Sequence, residues 1–402
     1  MADFQQSPPI ATLHRLGQPD RPALEADLLA WSAARPPALV LPALMADIQA
    51  PSFARLAEEL AGAGYLAEII VVLGAGGRRG AAAAAKALAG LPQPCLVLDE
   101  QGRALTRLLA EMAQDGLALG QPGKGRAVWL GLGLALAAGR ARVAAVQDAD
   151  ILDYDRALLA RLLHPVMHPG LGHRLAKGYY ARYSHELHGR VARLCLAPLL
   201  AALETLLGRT PYLAYLQAFR YPLAGETALD LDLAAGMDLC GGWGLELGLL
   251  GEAWRRLHPG QICQVDLAER FDHRHQELEP DQPDSGLGRM CAQIALALCR
   301  DLAAEGAAVS RGLTAALEAG YHRQAARFMD FYAADAAINR LEYDWRREAL
   351  AVEVFGRGLA RGLEAFLAQP RAAERLPAWR GILTARPEWG ARLLEAARAD
   401  NP

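Results

Sequence analysis

Short runs of apolar residues alternate with helical patterns through the first 150 residues of the chain. The runs are ALVLPALMA (38–46), YLAEIIVVLGAGG (65–77), PQPCLVLDE (92–100) and RARVAAVQDAD (140–150). Each contains an uninterrupted apolar stretch, such as 69–73 or 143–146, and is bounded by glycine, proline or polar residues, as expected for a strand buried on both faces. Helical patterns occupy the intervals at 52–64, 81–90 and 123–139. This alternation predicts an α/β fold with a parallel sheet covered by helices on both faces.

The rest of the chain divides into three further stretches. Residues 1–34 contain prolines followed by a helical pattern, and the segment from about 165 to 280 is less regular. From about 286 onward, three long helical patterns with poor heptad regularity predict a packed helical extension. We therefore expect an N-terminal helical segment (1–34), two halves of one α/β domain (35–152 and 153–285) and a C-terminal helical extension (286–402).

Composition excludes several classes of protein. The 402 residues carry a net charge of −3, which gives no bulk electrostatic reason to expect a nucleic acid or membrane partner. The longest apolar run, 127–139, is too short to span a bilayer and predicts a buried helix. The six cysteines contain no C-x-x-C pair and are expected to be reduced thiols. The start of the chain lacks a signal-peptide pattern, so we expect a cytoplasmic protein.

An Asp-x-Asp pair follows the fourth apolar run directly. Asp148 and Asp150 come at the carboxyl end of a predicted strand, which is where ligands bind in open α/β sheets. Carboxylate oxygens bind Mg²⁺ or Mn²⁺, and these metals also bind diphosphate. Asp-x-Asp is a weak motif on its own and is more often a solvated loop or a helix cap.

Two other stretches match this chemistry. Gly123, Lys124 and Gly125 open a predicted helix, where backbone N–H groups and a lysine suit phosphate, although the spacing is not that of a P-loop. His273 and His275 alternate on a segment that would point both rings to one side if extended. Each stretch also has an ordinary explanation, a glycine-rich helix start and a polar strand end.

The stretch IIVVLGAGGRRG (69–80) imitates a dinucleotide-binding fingerprint. Gly74 and Gly76 follow a strand, but Arg79 stands where G-x-G-x-x-G requires its third glycine. Asp99 could still serve as the acidic ribose partner. A glycine-rich turn explains the stretch equally well, and a nicotinamide-dependent dehydrogenase remains one alternative.

Taken in order, eight motifs resemble the glucosyl-3-phosphoglycerate synthases, which are retaining nucleotide-sugar glycosyltransferases of the GT-A fold. The motifs are LPALMAD (41–47), PGKGRAVW (122–129), DADI (148–151), KGYYAR (177–182), GRVARLCLAPLL (189–200), YPLAGETA (221–228), GWGLELGLL (242–250) and HRHQ (273–276). The resemblance covers roughly residues 35–300. It implies a GT-A fold with a Rossmann-like nucleotide-binding half and a mixed acceptor-binding half.

The resemblance also implies roles for individual residues. It assigns Glu246, Asp150 and Lys124 to catalysis, and Asp150 and His273 to the divalent metal, Mg²⁺ or Mn²⁺. The donor side would comprise Pro42, Ala43, Leu44, Asp47, Lys124, Asp148 and Gly225. The acceptor side would comprise Gly189, Arg190, Trp243 and His275. The implied reaction moves a hexose from a nucleotide-diphosphate sugar to a small anionic acceptor such as 3-phosphoglycerate. For the C-terminal helices we expect a packing role, with a homodimer interface as the alternative.

The chain departs from the family pattern at four places. The family reads L-P-A-L-N-E-E where this chain has LPALMAD, so Asp47 alone keeps a carboxylate there. The loop LGAGGRRG lacks the acid and serine that usually contact the nucleotide, which leaves the nucleotide open. Ala192 replaces a threonine expected to contact the acceptor phosphate, and His275 replaces a common asparagine. Two alternatives follow, a transferase acting on glycerate or another small acceptor and a catalytically silent GT-A scaffold.

Overall fold

The computed structural model describes residues 6, 9–17, 20–74, 76–272, 278, 285–370 and 375–400. Its ten strands are β1 (Ala11–Leu13), β2 (Pro37–Ala43), β3 (Glu68–Leu73), β4 (Cys95–Asp99), β5 (Val143–Val146), β6 (Leu175–Tyr180), β7 (Thr227–Asp230), β8 (Leu239–Cys240), β9 (Ile262–Ala268) and β10 (Arg375–Leu376). Eight of them form one sheet in the order β1-β9-β6-β7-β5-β2-β3-β4, while β8 and β10 pair separately. Within the described part of the main sheet, β7 alone runs antiparallel to its neighbours β5 and β6. The predicted α/β class with a mostly parallel sheet is confirmed.

Sixteen α-helices surround this sheet in the described ranges. They are α1 (Arg21–Ser32), α2 (Met45–Ile48), α3 (Pro51–Ala61), α4 (Gly77–Leu88), α5 (Arg103–Gln114), α6 (Lys124–Ala138), α7 (Arg156–Met167), α8 (Ala197–Leu207), α9 (Pro211–Ala218), α10 (Leu231–Ala235), α11 (Leu245–Arg256), α12 (Gly286–Ala304), α13 (Arg311–Ile338), α14 (Trp345–Ala368), α15 (Trp379–Ala385) and α16 (Glu388–Asp400). A π-helix (Val191–Leu196) leads directly into α8, and a 3-10 helix (Pro259–Gln261) precedes β9.

Alternate residues of the central strands supply two separate cores. In β2, Leu39 and Leu41 face α1, α3, α4 and α7, while Ala38 and Val40 face the layer that contains α5 and α6. Successive side chains of a strand point to opposite faces, so a strand covered on both faces must be apolar throughout. This explains why the apolar runs of the sequence show no polar alternation.

The C-terminal helices pack against α5 and α6. The indole ring of Trp379 stacks on that of Trp129 in α6 at a centroid distance of 4.3 Å, and its N–H donates to the Trp129 carbonyl. A Cβ on Gly133 would lie 2.3 Å from the Trp379 ring, so the glycine makes room for the indole. Arg392 of α16 pairs with Glu111 of α5. The helical extension is confirmed, and it covers the α5–α6 face of the sheet.

The segment from 165 to 280 is more regular than its sequence indicated. It supplies β6, β7 and β9 to the main sheet and four helices, α8 to α11. Strand β7 has four residues and β6 contains a lysine and a glycine, so neither gives a clear apolar run. The sheet neighbours of these short strands stabilise them, which a local pattern cannot reveal.

Glu68, the first residue of β3, should make the protein less stable at neutral than at acidic pH. Its side chain is buried, and neither carboxylate oxygen has a hydrogen-bond partner among the described residues. Burial, opposed by the charge of Arg140, raises the pKa of Glu68 from 4.5 to about 7. Because the pKa of Glu68 is higher in the folded than in the unfolded state, the protonated side chain contributes to the stability of the fold. This contribution is fully present below pH 4.5 and is lost as pH rises towards 7.

Ionisation of Glu68 should lower the unfolding free energy of the wild-type protein by roughly 2–3 kcal/mol between pH 5 and pH 8. The Glu68→Gln variant should not show this decrease. Urea unfolding at the two pH values measures this difference, and Glu58→Gln, at an exposed position of α3, is the matched control. A Glu68→Gln protein with the same pH dependence as the wild type would contradict the assignment.

Candidate functional site

Three of the predicted site residues meet at the carboxyl edge of the sheet. Lys124 is the first residue of α6, Asp148 follows β5, and Glu246 lies in the first turn of α11. The Lys124 Nζ lies 2.7 Å from Asp148 Oδ1 and 3.0 Å from Glu246 Oε1. A single ammonium group therefore joins three segments that are distant in sequence.

Glycines allow α6 to begin against the segment that precedes α11. A Cβ on Gly125 would lie 1.9 Å from the Cys240 carbonyl oxygen, and one on Gly123 would lie 3.1 Å from that of Gly241. The backbone N–H of Arg126 donates to the same Gly241 carbonyl at 3.2 Å. The G-K-G sequence thus has a packing reason, which is to bring Lys124 next to Glu246.

The charge state of Lys124 is set by its two partners. Burial alone would lower the pKa of Lys124, but the carboxylates of Asp148 and Glu246 outweigh it and hold the pKa well above its usual value. The lysine is consequently a fixed positive charge over the whole physiological pH range.

The Asp-x-Asp pair packs against the loop at 222–226. A Cβ on Gly225 would lie 2.5 Å from Asp148 Oδ2, so an alanine there would displace the carboxylate. Burial and the negative charge of Asp148 raise the pKa of Asp150. The structure therefore places Gly225 against Asp148, with Asp150 beside Asp148.

Two charged residues below the pair were not assigned any role from the sequence. Lys177 of β6 is 1% exposed and donates from Nζ to the Ala224 carbonyl and to Thr227 Oγ1, which fixes the loop that carries Gly225. Burial lowers the pKa of Lys177 to about 8. Glu226 is fully buried and accepts a hydrogen bond from Tyr180 Oη at 2.5 Å. A lysine within an otherwise apolar strand was the sequence signal that could have revealed this buried polar cluster of Lys177, Thr227, Glu226 and Tyr180.

The site contains more carboxyl groups than ammonium groups, and burial with the charge of Asp148 raises the pKa of both Asp150 and Glu226. Four carboxylates, those of Asp148, Asp150, Glu226 and Glu246, interact with two lysines, Lys124 and Lys177. Glu226 Oε1 and Glu246 Oε2 are buried and have no hydrogen-bond partner among the described residues. Buried charge is stable when it is compensated, so this arrangement suits a divalent cation and a ligand that donates hydroxyl hydrogen bonds.

The predicted metal set extends beyond what the structure describes. His273 and His275 lie in the segment 273–277, which is outside the described residues. Within the described ranges, no three His, Cys, Asp or Glu side chains form a group that could hold a metal ion. The same ranges contain no helix long and apolar enough to cross a bilayer.

The predicted donor residues on the other side of the site lie at the end of β2. Pro42 and Ala43 close the strand, and the Ala43 carbonyl accepts a hydrogen bond from Gly74 at 2.9 Å. Leu44 follows with half of its side chain exposed, and its N–H donates to Asp47 Oδ2 at 2.7 Å. These residues form one rim of the carboxyl edge.

The predicted acceptor residues in the described ranges lie in two segments, one at the start of the π-helix and one before α11. Gly189 has a φ of +70°, which glycine adopts without strain, and Arg190 follows at the start of the π-helix. The backbone N–H of Trp243 donates to Gln293 Oε1 of α12 at 2.6 Å. Helix α12 of the C-terminal extension therefore contacts the segment that carries Trp243.

The glycine-rich stretch after β3 has a packing explanation. A Cβ on Gly76 would lie 2.0 Å from Leu73 Cδ2, and one on Gly80 would lie 2.8 Å from the same atom. These glycines let α4 begin close to the strand, which agrees with the simple interpretation as a turn.

Comparison with known proteins identifies relatives along the full length of the chain. The glucosyl-3-phosphoglycerate synthase of Persephonella marina is 35% identical over 401 residues, covering 100% of this chain and 99% of the relative. That of Methanococcoides burtonii is 32% identical over 371 residues, covering 91% and 90%. No protein-family model matches the chain.

Solved structures give the same result. The crystal structure of glucosyl-3-phosphoglycerate synthase from Mycobacterium tuberculosis, in complex with Mn²⁺, UDP-glucose and phosphoglyceric acid, aligns with a TM-score of 0.54 and 26% identity. The alignment covers 73% of this chain and 88% of that one. A further complex of the same enzyme contains Mg²⁺ and UDP. The predicted family is confirmed by full-length identity above 30%, and this chain belongs to the glucosyl-3-phosphoglycerate synthases.

Proposed function

We propose that this chain is a metal-dependent glycosyltransferase that moves glucose from UDP-glucose to 3-phosphoglycerate with retention of the anomeric configuration. The observation that carries the proposal is the Lys124 Nζ held between Asp148 and Glu246 at the carboxyl edge of the sheet. The Mycobacterium tuberculosis relative, whose complexes contain Mn²⁺, UDP-glucose and phosphoglyceric acid, supports the choice of substrates.

Asp150 would hold the divalent cation, with His273 as the second protein ligand that we predict. When bound, the cation supplies positive charge that neutralises the diphosphate of the donor. The hard oxygen atoms of Asp150, next to the carboxyl groups of Asp148 and Glu226, fit Mg²⁺ or Mn²⁺.

Lys124 would stabilise the leaving group. Its ammonium has three N–H donors, of which two point to Asp148 and Glu246. The third can donate to an oxygen of the diphosphate as negative charge builds there. Because both partners keep the lysine protonated, this hydrogen bond does not depend on pH in the physiological range.

Glu246 would orient the sugar. Its Oε1 is held by Lys124, while its buried Oε2 has no partner among the described residues and can accept a hydrogen bond from a sugar hydroxyl. Its negative charge also stabilises the positive charge that develops at the anomeric carbon.

The transfer itself breaks the bond from the anomeric carbon to the diphosphate oxygen and forms one to the acceptor oxygen on the same face. The proton of the acceptor hydroxyl moves to the oxygen of the departing diphosphate. Glu246 serves here as an orienting group, and Lys124 stays protonated throughout.

The proposal is tested by incubating the protein with UDP-glucose, Mn²⁺ and 3-phosphoglycerate and identifying the product by NMR. We expect an α-linked glucosyl-3-phosphoglycerate and free UDP. A β-linked product would refute retention, and transfer to glycerate alone would favour the other-acceptor alternative. A folded protein that forms no product with uridine, guanosine or adenosine diphosphate glucose would favour a silent scaffold.

We also propose, from the sequence alone, that the chain works in the cytoplasm and forms a homodimer, without nucleic acid or membrane partners. Light scattering of the purified protein at micromolar concentration measures the oligomeric state. A monomeric mass would reject the dimer.

A further inference from the structure

Helix α14 places the carboxylate of Glu348 between Arg190 and Arg193, which lie at the start of the π-helix. Glu348 Oε1 accepts from Arg190 Nε at 2.7 Å, and its Oε2 accepts from Arg193 Nη1 at 3.0 Å. The Glu348 side chain is 5% exposed and those of Arg190 and Arg193 are 13% and 10% exposed. A residue of the C-terminal extension is thus a buried partner of the arginine proposed to bind the acceptor.

Arg193 is held from all sides and has a structural role. Its Nε donates to the His188 carbonyl at 2.8 Å, and its Nη2 donates to that of Leu187 at 3.1 Å. Its guanidinium also lies 4.7 Å from the centroid of the Tyr332 ring. With these contacts fixed, Arg193 sets the position of the Glu348 carboxylate.

Arg190 uses two of its three guanidinium nitrogens in bonds to carboxylates. Its Nε bonds to Glu348, and its Nη2 donates to Glu186 Oε2 at 3.1 Å. Its Nη1 makes no hydrogen bond to any of the described residues. Two of the three guanidinium nitrogens are therefore held by carboxylates, which restricts the orientation of Arg190.

The charges of this network match an anionic ligand. Glu186 also pairs with Arg347, the neighbour of Glu348 in α14, at 3.1 Å. Three arginines, 190, 193 and 347, thus face two glutamates, 186 and 348, which leaves an excess of one positive charge. The backbone N–H of Glu342 donates to the His185 carbonyl at 2.8 Å, which fixes the connection before α14 to the same loop.

We propose that Glu348 is a positioning residue that determines acceptor specificity, because it orients Arg190 for an acceptor that bears a phosphate. This inference rests on the proposed function. A guanidinium already held in place loses less conformational entropy when an oxyanion binds, and its Nη1 can donate a charge-assisted hydrogen bond to a phosphate oxygen. Without Glu348, Arg190 would sample other rotamers and be repelled by Arg193.

The test is the Glu348→Gln variant, which keeps the size of the side chain and removes its charge. Calorimetry of 3-phosphoglycerate binding to the protein–UDP complex should show a Kd raised about tenfold, the value of one charge-assisted hydrogen bond. The KM for 3-phosphoglycerate should rise equally, while the KM for UDP-glucose and the kcat at saturating acceptor stay unchanged. The preference for 3-phosphoglycerate over glycerate should fall by the same factor.

Two controls separate positioning from a general effect on the fold. Glu353→Gln changes an exposed residue of the same helix, 3.9 Å from His322, and should leave all values unchanged. In an Arg190→Lys background, Glu348→Gln should have little further effect on the Kd, because the two residues act together.

A Kd for 3-phosphoglycerate that is unchanged or lower in Glu348→Gln would overturn the positioning role and leave the proposed function intact. Equal losses for 3-phosphoglycerate and glycerate would also overturn it. If the wild-type protein binds UDP but no 3-phosphoglycerate, the proposed acceptor itself is wrong and the inference is overturned with it.

Discussion

The Asp150→Asn variant is expected to lose about three orders of magnitude in kcat, which corresponds to roughly 4 kcal/mol of transition-state stabilisation. Asparagine keeps the shape of the side chain but removes the negative charge that a divalent cation requires. Asp150 is half-buried beside Asp148, and burial together with the charge of Asp148 raises its pKa, so a bound cation would favour the ionised carboxylate. Steady-state kinetics at saturating UDP-glucose and Mn²⁺ measure the loss.

Asp153→Asn is the matched control for this result. Asp153 lies in the same loop with 73% of its side chain exposed, in an ion pair with Arg55. Exposed pairs contribute little to stability or activity, so this variant should retain wild-type kinetics. If Asp150→Asn lost less than tenfold, a metal role for Asp150 could not be maintained.

Lys124→Met should lower kcat by about 10²- to 10³-fold, the effect of deleting one preorganised donor to a developing oxyanion. Methionine keeps most of the aliphatic stem, but it cannot donate a hydrogen bond and leaves Asp148 and Glu246 without their shared cation. The KM for the acceptor should change little, since the proposed partner of Lys124 is the diphosphate of the donor. Steady-state assays with varied acceptor measure both quantities.

Lys86→Met provides the comparison, because Lys86 is an exposed residue of α4. Thermal unfolding of both variants shows whether the fold is retained. A folded Lys124→Met protein with wild-type kcat would show that the lysine only neutralises the carboxylates.

Much of the donor side could be predicted from strand ends and helix starts. Lys124 follows a glycine at a helix start and Asp148 follows a buried strand, and parallel strands bring such positions to one edge. Glu246 was placed by resemblance, and the structure brings it to 3.0 Å from Lys124. Local sequence therefore predicted which segments meet, whereas the distances came from the fold.

The buried polar contacts of Lys177 and Glu226 could not be predicted in the same way. Lys177 and Glu226 belong to motifs that the sequence singled out, but their interaction depends on β6 and β7 being paired antiparallel. Glu348 lies 158 residues from Arg190, and its own helical pattern gives no sign of a buried ion pair. Long-range partners of this kind are determined by tertiary packing, which hydrophobic periodicity does not encode.

Calorimetric titration of UDP-glucose into the wild-type protein and Asp150→Ala, each with Mn²⁺ and with a chelator, tests whether the cluster around Lys124 holds a metal–diphosphate. We predict binding to the wild type in Mn²⁺, strongly weakened by the chelator and by Asp150→Ala. Binding of equal affinity in all four titrations would contradict metal-dependent binding of the donor and the role given to Asp150.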